Sequence, residues 1–438
     1  MFVLGVLAAL LGLLLSIALH EVGHLVSAKK FGIKVTQYLV GFGPTLWSRR
    51  RGETEYGVKA IPLGGYVRMI GMFPPVSRAA RRPGSTGFVA AIVDDARSAS
   101  GEEVGPGEEH RAFYAQSVPK RLVVMAAGPV MNLVIAVFLL AVVLIGIGTP
   151  QLTSTLGAVA DCVVPVAEAP RDCTAQDPVA PAAAAGFQEG DVVVRWGSEP
   201  VEDWATLSAA IEAGGVTTTD VLLRRDGEDV ELTVRPVLAD RPLIVDGELV
   251  LDEAGEPVLA SRPFVGFGPS VGLVRQSPAT LPGAVADMVG RTVDLVLGLP
   301  QRVVAVTQAA FGDGERDAGG VVGLVGLGRF AGEIATFEAE DYTTAARVAD
   351  LLSLLAALNV ALFVFNLVPL VPLDGGHVAG ALWEGARRRV ARLRRRPDPG
   401  PVDVARAMPL AYIVVLLVLG MGLLLAYADI VRPVTLGG

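Results

Sequence analysis

Residues 16–30 read SIALHEVGHLVSAKK and place three ionisable side chains at the end of a long apolar run. No charged side chain precedes His20 in the chain, whereas Glu21 and His24 follow it closely. Ionisable groups are costly at membrane depth, where they are usually paired, bound or functional. The stretch therefore predicts a functional site at the end of a membrane span.

The composition of the chain favours a membrane protein. Of its 438 residues, 52% are hydrophobic and 19% are charged, whereas an average soluble domain has about 25% charged residues. The net charge is −8, and no basic stripe interleaved with aromatic residues appears outside the loops between spans. We therefore expect membrane lipid, and not nucleic acid, among the partners.

Four apolar segments are long enough to cross a bilayer, which needs about 20 residues. They predict a polytopic α-helical membrane protein with about four transmembrane helices. A fifth apolar segment, residues 281–311, repeats Asp287, Arg291 and Asp294 at helical spacing, and we interpret it as an amphipathic helix at the interface. The predicted spans are residues 1–28, 122–148, 350–372 and 409–428.

Clusters of Lys and Arg beside the spans predict their orientation, because these residues are enriched on the cytoplasmic side. With four spans, the clusters at residues 29–34, 120–121 and 387–396 all fall on one side. We therefore place residues 29–119 and the basic loop 385–400 in the cytoplasm, with both termini outside. The expected location is the plasma membrane of a bacterium, and the simplest role of the arginines is to anchor this topology.

His20 and His24 share one face of a helix, because residues i and i+4 lie one turn apart. They can present two imidazoles to one metal ion while Glu21 reaches a water beside it, which is the HExxH arrangement of zinc proteases. A catalytic zinc usually has a third protein ligand. Asp374, after the third predicted span, is the preferred candidate, and His377 is the rival. Buried histidines satisfied by other helices are the alternative that needs no metal.

Several motifs together resemble the site-2 protease family of intramembrane zinc metalloproteases, and the resemblance covers most of the chain. HEVGH is similar to the first motif of that family. The sequence departs from the family pattern at Val371, where Pro is frequent, and in the loose GVVGLVG of residues 320–326. The other matching motifs are Gly41–Pro44 (GFGP), Gly128–Asn132 (GPVMN) and Asn366–Gly376 (NLVPLVPLDGG).

The resemblance implies that His20, His24 and Asp374 bind one Zn²⁺ per chain and that Glu21 is the catalytic residue. It also implies that Asn366 helps to hold the substrate. From the residues alone, Asn366 could donate a hydrogen bond to an oxyanion or cap the broken end of the third span.

Residues 54–70, TEYGVKAIPLGGYVRMI, predict a short β-hairpin with a Pro-Leu-Gly-Gly turn. An exposed edge that includes Val58 would bind the substrate as an added strand and hold it extended. The family resemblance implies a membrane-associated β element at this place. A hairpin that only anchors the first span is the alternative.

Residues 152–270 are predicted to form an extracytoplasmic α+β domain, and residues 182–236 within it resemble a PDZ domain. Such a domain would admit trimmed substrates or sense a partner, or have an unused groove. Residues 278–349 are predicted to follow it as an amphipathic interfacial segment. Cys162 and Cys173 are the only cysteines, and an oxidising location predicts a disulfide between them.

These features predict an intramembrane zinc endopeptidase. The family resemblance implies single-pass membrane proteins as substrates, such as anti-sigma factors already shortened by another protease. The competing hypothesis is a non-enzymatic metal-binding membrane scaffold or metal carrier whose PDZ-like domain recruits partners. Glu21 discriminates between the two, because a structural or transport site needs no unligated carboxylate beside the metal.

Overall fold

A computed structural model of the chain divides into two compact units. The membrane unit comprises residues 1–146, 276–338 and 347–438, and the β unit comprises residues 147–275 and 339–346. The structure describes residues 1–74, 93, 95, 97, 98, 100–165, 171–245, 248–252, 257–311, 321–338 and 342–434.

The described helices and strands follow one another along the chain as two series. The helices are α1 (Phe2–Lys30), α2 (Val118–Ala141), α3 (Pro181–Ala185), α4 (Trp204–Gly214), α5 (Leu281–Leu297), α6 (Leu299–Phe311), α7 (Leu324–Thr336), α8 (Thr344–Asn366), α9 (Asp374–Leu393) and α10 (Met408–Val431). The strands are β1 (Val35–Arg51), β2 (Thr54–Met69), β3 (Thr149–Val159), β4 (Val192–Trp196), β5 (Glu199–Pro200), β6 (Thr219–Arg225), β7 (Glu228–Val234), β8 (Val237–Pro242), β9 (Ile244–Val245), β10 (Glu248–Leu249), β11 (Leu259–Phe264) and β12 (Phe267–Val274).

Four of the described helical segments are long and apolar enough to cross a bilayer, which indicates a membrane protein. The number of these candidate spans in the described part of the chain equals the predicted number. The third span begins earlier than residue 350 and ends at Asn366, before residue 372, because Pro369 and Pro372 cannot continue a helix. The four segments are Phe2–Lys30, Val118–Ile147, Thr344–Asn366 and Val404–Val431.

Helix α1 packs closely against three other helices at glycines, and small residues are the usual means of close helix packing in membranes. A Cβ at Gly5 would lie 2.2 Å from the carbonyl oxygen of Ala331 in α7, and one at Gly12 would lie 2.7 Å from the side chain of Leu355 in α8. At Gly23 the nearest atom would be the carbonyl oxygen of α2 residue 127, at 2.3 Å. The first span is therefore central to the membrane unit.

A polar contact joins α1 and α8 within the apolar layer. The Asn359 amide donates hydrogen bonds to Ser16 Oγ at 2.9 Å and to the Leu355 carbonyl oxygen at 2.8 Å. The Ser16 hydroxyl in turn donates to the Gly12 carbonyl oxygen. Buried polar side chains of spans need such partners, because hydrocarbon supplies none.

Strands β1 and β2 pair antiparallel but with several register shifts. Residues 37–40 of β1 have partners on both sides, with residues 65–68 opposite them on one side and residues 55–58 on the other. Gly41 and Gly43 have φ angles of 94° and 81°, which glycine adopts without strain. They bend β1 so that its second half returns beside the first half of β2.

The predicted hairpin within residues 54–70 is therefore wrong in its pairing. Its two runs do not pair with each other but flank residues 37–40, a strand that the sequence analysis did not recognise. Val58 lies opposite both Val40 and Trp47, so it is not on an exposed edge. Residues 65–69, the second half of β2, pair on one side only, with residues 35–40 of β1, and so form an edge of the sheet among the described residues.

The apolar segment 281–311 forms two helices, α5 and α6, where one was predicted. The break falls at Gly298, and Pro300 at the start of α6 suits a first helical turn, since proline lacks an N–H there. Neither helix is among the candidate spans of the described residues.

The glycine-rich segment before α7 receives a carboxylate from the fourth span. Asp429, 1% exposed, accepts hydrogen bonds from the backbone N–H groups of Gly323 at 2.9 Å and Gly326 at 2.7 Å. A Cβ at Gly326 would lie 3.0 Å from the carboxylate. The described part of GVVGLVG therefore forms a carboxylate-capped helix start.

The β unit is built on a sheet with the strand order β12-β3-β4-β6-β7, and β5 pairs with β4. Helix α4 is capped by Asp203, whose carboxylate accepts from the Thr206 backbone N–H at 2.8 Å. Its apolar side contributes Leu207 to a core that also contains Trp196 and Leu223. This arrangement is a β domain with short helices, and its PDZ identity remains a prediction.

In the β unit, Cys162 and Cys173 are joined by a disulfide bond. An ion pair between Arg171 and Asp177, with N–O distances of 2.6 and 2.7 Å, holds the loop beside it. If the bond forms in the cell, mass spectrometry of purified, unreduced protein will find the two cysteine peptides linked and separated only after reduction. Alkylation of both cysteines without prior reduction would contradict this prediction.

Candidate metal centre

Three side-chain atoms from two helices converge at one point of the membrane unit. The Nε2 atoms of His20 and His24 lie 3.2 Å apart. Asp374 Oδ2 lies 3.2 Å from the first nitrogen and 3.3 Å from the second. Among the described residues these three form a group with the geometry to hold a metal ion.

The three distances fit a zinc ion. Tetrahedral ligands about 2.0–2.1 Å from zinc are about 3.3 Å apart, close to each side of the observed triangle. Two neutral imidazole nitrogens and a carboxylate oxygen all offer lone pairs, so in a buried site they need a cation or protons between them. The residues present therefore fit the metal that HExxH predicts.

Partners of the second ring nitrogens orient both imidazoles. His24 Nδ1 lies 2.8 Å from the carbonyl oxygen of Val124 in α2. Because a carbonyl only accepts, Nδ1 carries the proton and Nε2 keeps a lone pair for metal. This partner is a backbone atom, which no sequence motif reveals.

His20 Nδ1 lies 3.1 Å from the amide nitrogen Nδ2 of Asn132, a residue that is 0% exposed. The amide oxygen, Oδ1, has no partner among the described residues. With the amide turned by half a rotation, Oδ1 accepts from Nδ1–H and leaves His20 Nε2 free to bind metal. Asn132, within the GPVMN motif, is therefore a candidate site residue that was not predicted from the sequence. The sequence feature that could have identified Asn132 is an uncharged polar side chain within an otherwise apolar span.

Gly128, in the same motif, lets α2 approach the two imidazoles. A Cβ at this position would lie 2.1 Å from His24 Nε2 and 2.7 Å from His20 Nε2. Any side chain would therefore collide with the ligand atoms themselves. The GPVMN motif supplies both the space for the ligands and the amide that orients one of them.

Asp374 is the first residue of α9, where the helix dipole favours a negative charge. The two glycines that follow fit tightly under the preceding turn, since a Cβ at Gly375 would lie 2.2 Å from the Val368 carbonyl oxygen. Burial opposes ionisation of Asp374, but hydrogen bonds to His20 and His24 hold its pKa below the ordinary value. The carboxylate form is the one that binds metal.

Glu21 lies in the same cavity but outside the ligand triangle. The backbone of β2 passes directly beside it, because a Cβ at Gly65 would lie 3.0 Å from Glu21 Cγ. Glu21 therefore lies between the ligand triangle and the edge of the sheet.

A cavity of about 350 Å³ connects these groups. Asn366, the last residue of α8, lines it together with Glu21 and the three ligand residues. The Asn366 side chain makes no hydrogen bond to any residue within the described parts of the chain, so its amide is available to a ligand in the cavity.

His377 lines the cavity but is not one of the three converging residues. Its ring lies between Phe73 and Phe113, with ring centroids 6.3 Å away in both cases. Burial lowers its pKa, although the Asp374 carboxylate opposes this shift. The geometry therefore favours Asp374 over His377 as the third ligand.

Comparison with known proteins identifies the class. Residues 8–397 match the sequence profile described as Peptidase family M50. The chain belongs to this family, and it is a zinc metalloprotease. This membership favours an enzyme over the metal-binding scaffold or carrier.

Named relatives span nearly the whole chain. Zinc metalloprotease Rip1 of Mycobacterium tuberculosis (strain ATCC 35801 / TMC 107 / Erdman) is 35% identical over 447 residues, covering 100% of this chain and 99% of the relative. Metalloprotease MmpA of Caulobacter vibrioides is 28% identical, with 89% of each chain covered. Regulator of sigma-W protease RasP of Bacillus subtilis (strain 168) is 23% identical, covering 88% of this chain and 91% of the relative.

The role of Asn132 as the hydrogen-bond partner of His20 Nδ1 can be tested directly. Asn132→Ala should lower zinc affinity about 10- to 100-fold, because loss of an orienting hydrogen bond weakens a metal ligand by that amount. The measurement is zinc retention in a titration with a competing chelator.

Asn359→Ala is the matched control, since Asn359 is equally buried and also contacts α1 but lies away from the imidazoles. It should retain zinc almost as well as the unmodified protein. An equal loss of zinc in both variants would mean that Asn132 acts only through helix packing.

Proposed function

We propose that this metalloprotease is an intramembrane endopeptidase that cleaves single-pass membrane proteins within the bilayer. The observation that carries the proposal is the convergence of His20, His24 and Asp374 at the end of a membrane span, with Glu21 beside them. The ligand assignment is part of the proposal and rests on the 3.2–3.3 Å triangle and its orienting partners.

The chain's own residues divide the chemistry between them. When bound, zinc lowers the pKa of water and polarises the scissile carbonyl. Glu21 accepts the proton of the attacking water and passes it to the leaving amine. The amide of Asn366 donates a hydrogen bond to the oxygen of the reacting carbonyl. The apolar surroundings strengthen the interactions of Glu21 with the water and of Asn366 with the carbonyl oxygen, because little other water competes there.

The substrate must be unwound before it reaches this site. Each carbonyl of a transmembrane helix already accepts an intrahelical hydrogen bond, and the freed groups are costly in hydrocarbon if unpaired. An enzyme strand that offers backbone partners compensates for this cost. Strand addition at a sheet edge is a general way to bind an extended peptide.

The edge formed by residues 65–69 of β2 is the strand we propose for this role. It lines the cavity at Gly65, Tyr66, Val67 and Met69, and it passes beside Glu21. A substrate paired with it would run past the catalytic carboxylate. Residues 65–69 take the role predicted for Val58, because Val58 has strand partners on both sides and no free edge.

We place the protein in the plasma membrane of a bacterium, with both termini and the PDZ-like β unit outside. The β unit would admit substrates already shortened by another protease. Anti-sigma factors are the proposed substrate class, and the name of one relative, Regulator of sigma-W protease RasP, supports this choice.

If Asp374 binds zinc and Glu21 transfers the proton, their variants should differ in zinc content although both lose activity. Glu21→Gln should retain zinc but lose activity about 10²- to 10⁴-fold, because only proton transfer is removed. Asp374→Ala should lose both zinc and activity, whereas the neighbouring His377→Ala should retain zinc. Zinc content and cleavage of a detergent-solubilised substrate are measured on the same preparations. Zinc lost from His377→Ala and kept in Asp374→Ala would contradict the ligand assignment.

Strand addition predicts a dependence on the substrate backbone. In synthetic substrates with a single N-methylated amide near the cut, methylation at alternate positions should slow cleavage, because only every second N–H of a paired strand faces its neighbour. Methylation at the intervening positions is the matched control and should have a small effect. Cleavage rates that fall equally at all positions, or at none, would contradict the pairing with residues 65–69.

A further inference from the structure

Helix α9 turns its apolar side chains outward and a charged one inward. The exposed fractions are 56% for Leu382, 63% for Trp383, 46% for Val390 and 77% for Leu393, whereas Glu384 is 0% exposed. A helix of a water-soluble protein shows the reverse pattern. The outward side of α9 therefore faces something other than water.

The inward side is fixed by ion pairs. Glu384 pairs with Arg121 of α2 and with Arg388 one turn along α9. Its carboxylate also accepts a hydrogen bond from the Val402 backbone N–H at 2.9 Å. Because a buried carboxylate without these partners would be costly, the helix cannot rotate about its axis and remove its apolar side from the surface.

The exposed apolar residues form one stripe bordered by arginines. At about 100° per residue, Leu382, Trp383, Val390 and Leu393 fall within about a third of the circumference. Arg389 and Arg392 border one side of the stripe, and Arg394, at the helix end, borders the other. We call these seven residues the α9 face. The three arginines are exposed and form no ion pair with any residue in the described ranges.

The depth of the α9 face follows from its contacts with α2. At the start of α9 the metal site lies against Gly128 of α2. Further on, Glu384 pairs with Arg121, and a Cβ at Gly385 would lie 3.3 Å from Val118, the first residue of α2. Helix α9 therefore runs antiparallel to α2 and continues about 12 Å beyond the start of this span.

We propose that the α9 face binds anionic phospholipid of the adjacent leaflet. Leu382 and Trp383 lie level with the end of a span, where tryptophan is favoured at the boundary between acyl chains and headgroups. Arg389, Arg392 and Arg394 follow about 6–14 Å beyond that level, and their long side chains reach back toward headgroup phosphates, which their charges complement. Apolar side chains bordered by arginines suit a helix that leaves an anionic leaflet, because the apolar side chains contact lipid and the arginines contact phosphates.

The bilayer, and not an acidic protein, is the occupant that these observations favour. The chain crosses the membrane, so lipid always lies beside the ends of its spans, and the apolar stripe is continuous from Leu382 at that level to Leu393. The same helix begins with Asp374, so headgroup binding holds the element that carries the third metal ligand. This inference concerns lipid binding and does not depend on the proposed proteolysis.

Trp383 provides the readout. The full chain is placed in lipid nanodiscs with equal fractions of phosphatidylglycerol and phosphatidylcholine, and either one or the other carries brominated acyl chains that quench tryptophan. The Trp383 signal is the difference between the unmodified protein and Trp383→Phe. We expect brominated phosphatidylglycerol to quench this signal at least about two-fold more than brominated phosphatidylcholine, because arginines attract anionic lipid.

Arginine variants test the source of the preference. In the triple variant Arg389→Gln, Arg392→Gln and Arg394→Gln, the two brominated lipids should quench the Trp383 signal equally. The corresponding lysine variant should keep the stronger quenching by phosphatidylglycerol. A triple Gln variant of Arg224, Arg235 and Arg262 in the β unit removes the same charge elsewhere and should also keep it. Zinc content of each preparation reports whether the start of α9 remains in place.

Three outcomes would overturn the proposal. Equal quenching of the unmodified protein by both lipids would show that the α9 face does not select anionic lipid. A preference retained by the glutamine variant would show that its arginines are not responsible. Absence of quenching by either lipid would place Trp383 outside the bilayer and favour a protein partner. The first and third outcomes need no arginine variant to fold.

Discussion

Three lone-pair atoms meet within 3.3 Å of one another at the end of a membrane span, and the rest of the membrane unit is organised around this constraint. Two imidazole nitrogens and a carboxylate oxygen would repel one another in an apolar layer without a cation. The surrounding sequence features make this arrangement possible. Gly23 and Gly128 bring α2 against α1, and the glycines after Asp374 bring α9 under the end of α8.

The site and the sheet edge are coupled through one helix. Helix α1 carries His20, Glu21 and His24, so two of the proposed metal ligands and the proposed base share a rigid element. The second half of β2 passes beside Glu21, and α2 orients both imidazoles. These elements therefore bring together, near one point, the groups proposed for metal binding, for proton transfer and for holding an extended backbone.

Local patterns made much of this arrangement predictable. The pairing of His20 with His24 follows from helical spacing alone, and the spans follow from hydropathy. Asp374 was preferred over His377 from its position after the third predicted span and from the usual zinc ligand sets, and the family resemblance supported this choice. The distance of Asp374 in sequence from HEVGH gives no spacing rule. The sheet was mispredicted because pairing depends on which distant segments meet, and the GFGP bend of β1 was not recognised as a strand reversal. The arginine-rich residues 385–393 were predicted as loop but continue α9, since no proline interrupts residues 374–396.

The central claim is that His20, His24 and Asp374 bind zinc as two imidazoles and one carboxylate. X-ray absorption at the zinc edge of the purified protein measures these ligands directly. The account predicts a shell of nitrogen and oxygen atoms at about 2.0–2.2 Å, with outer scattering from two imidazole rings. A third imidazole would contradict it by implicating His377 in place of Asp374, and sulfur scatterers at about 2.3 Å would exclude this site as the place where zinc binds.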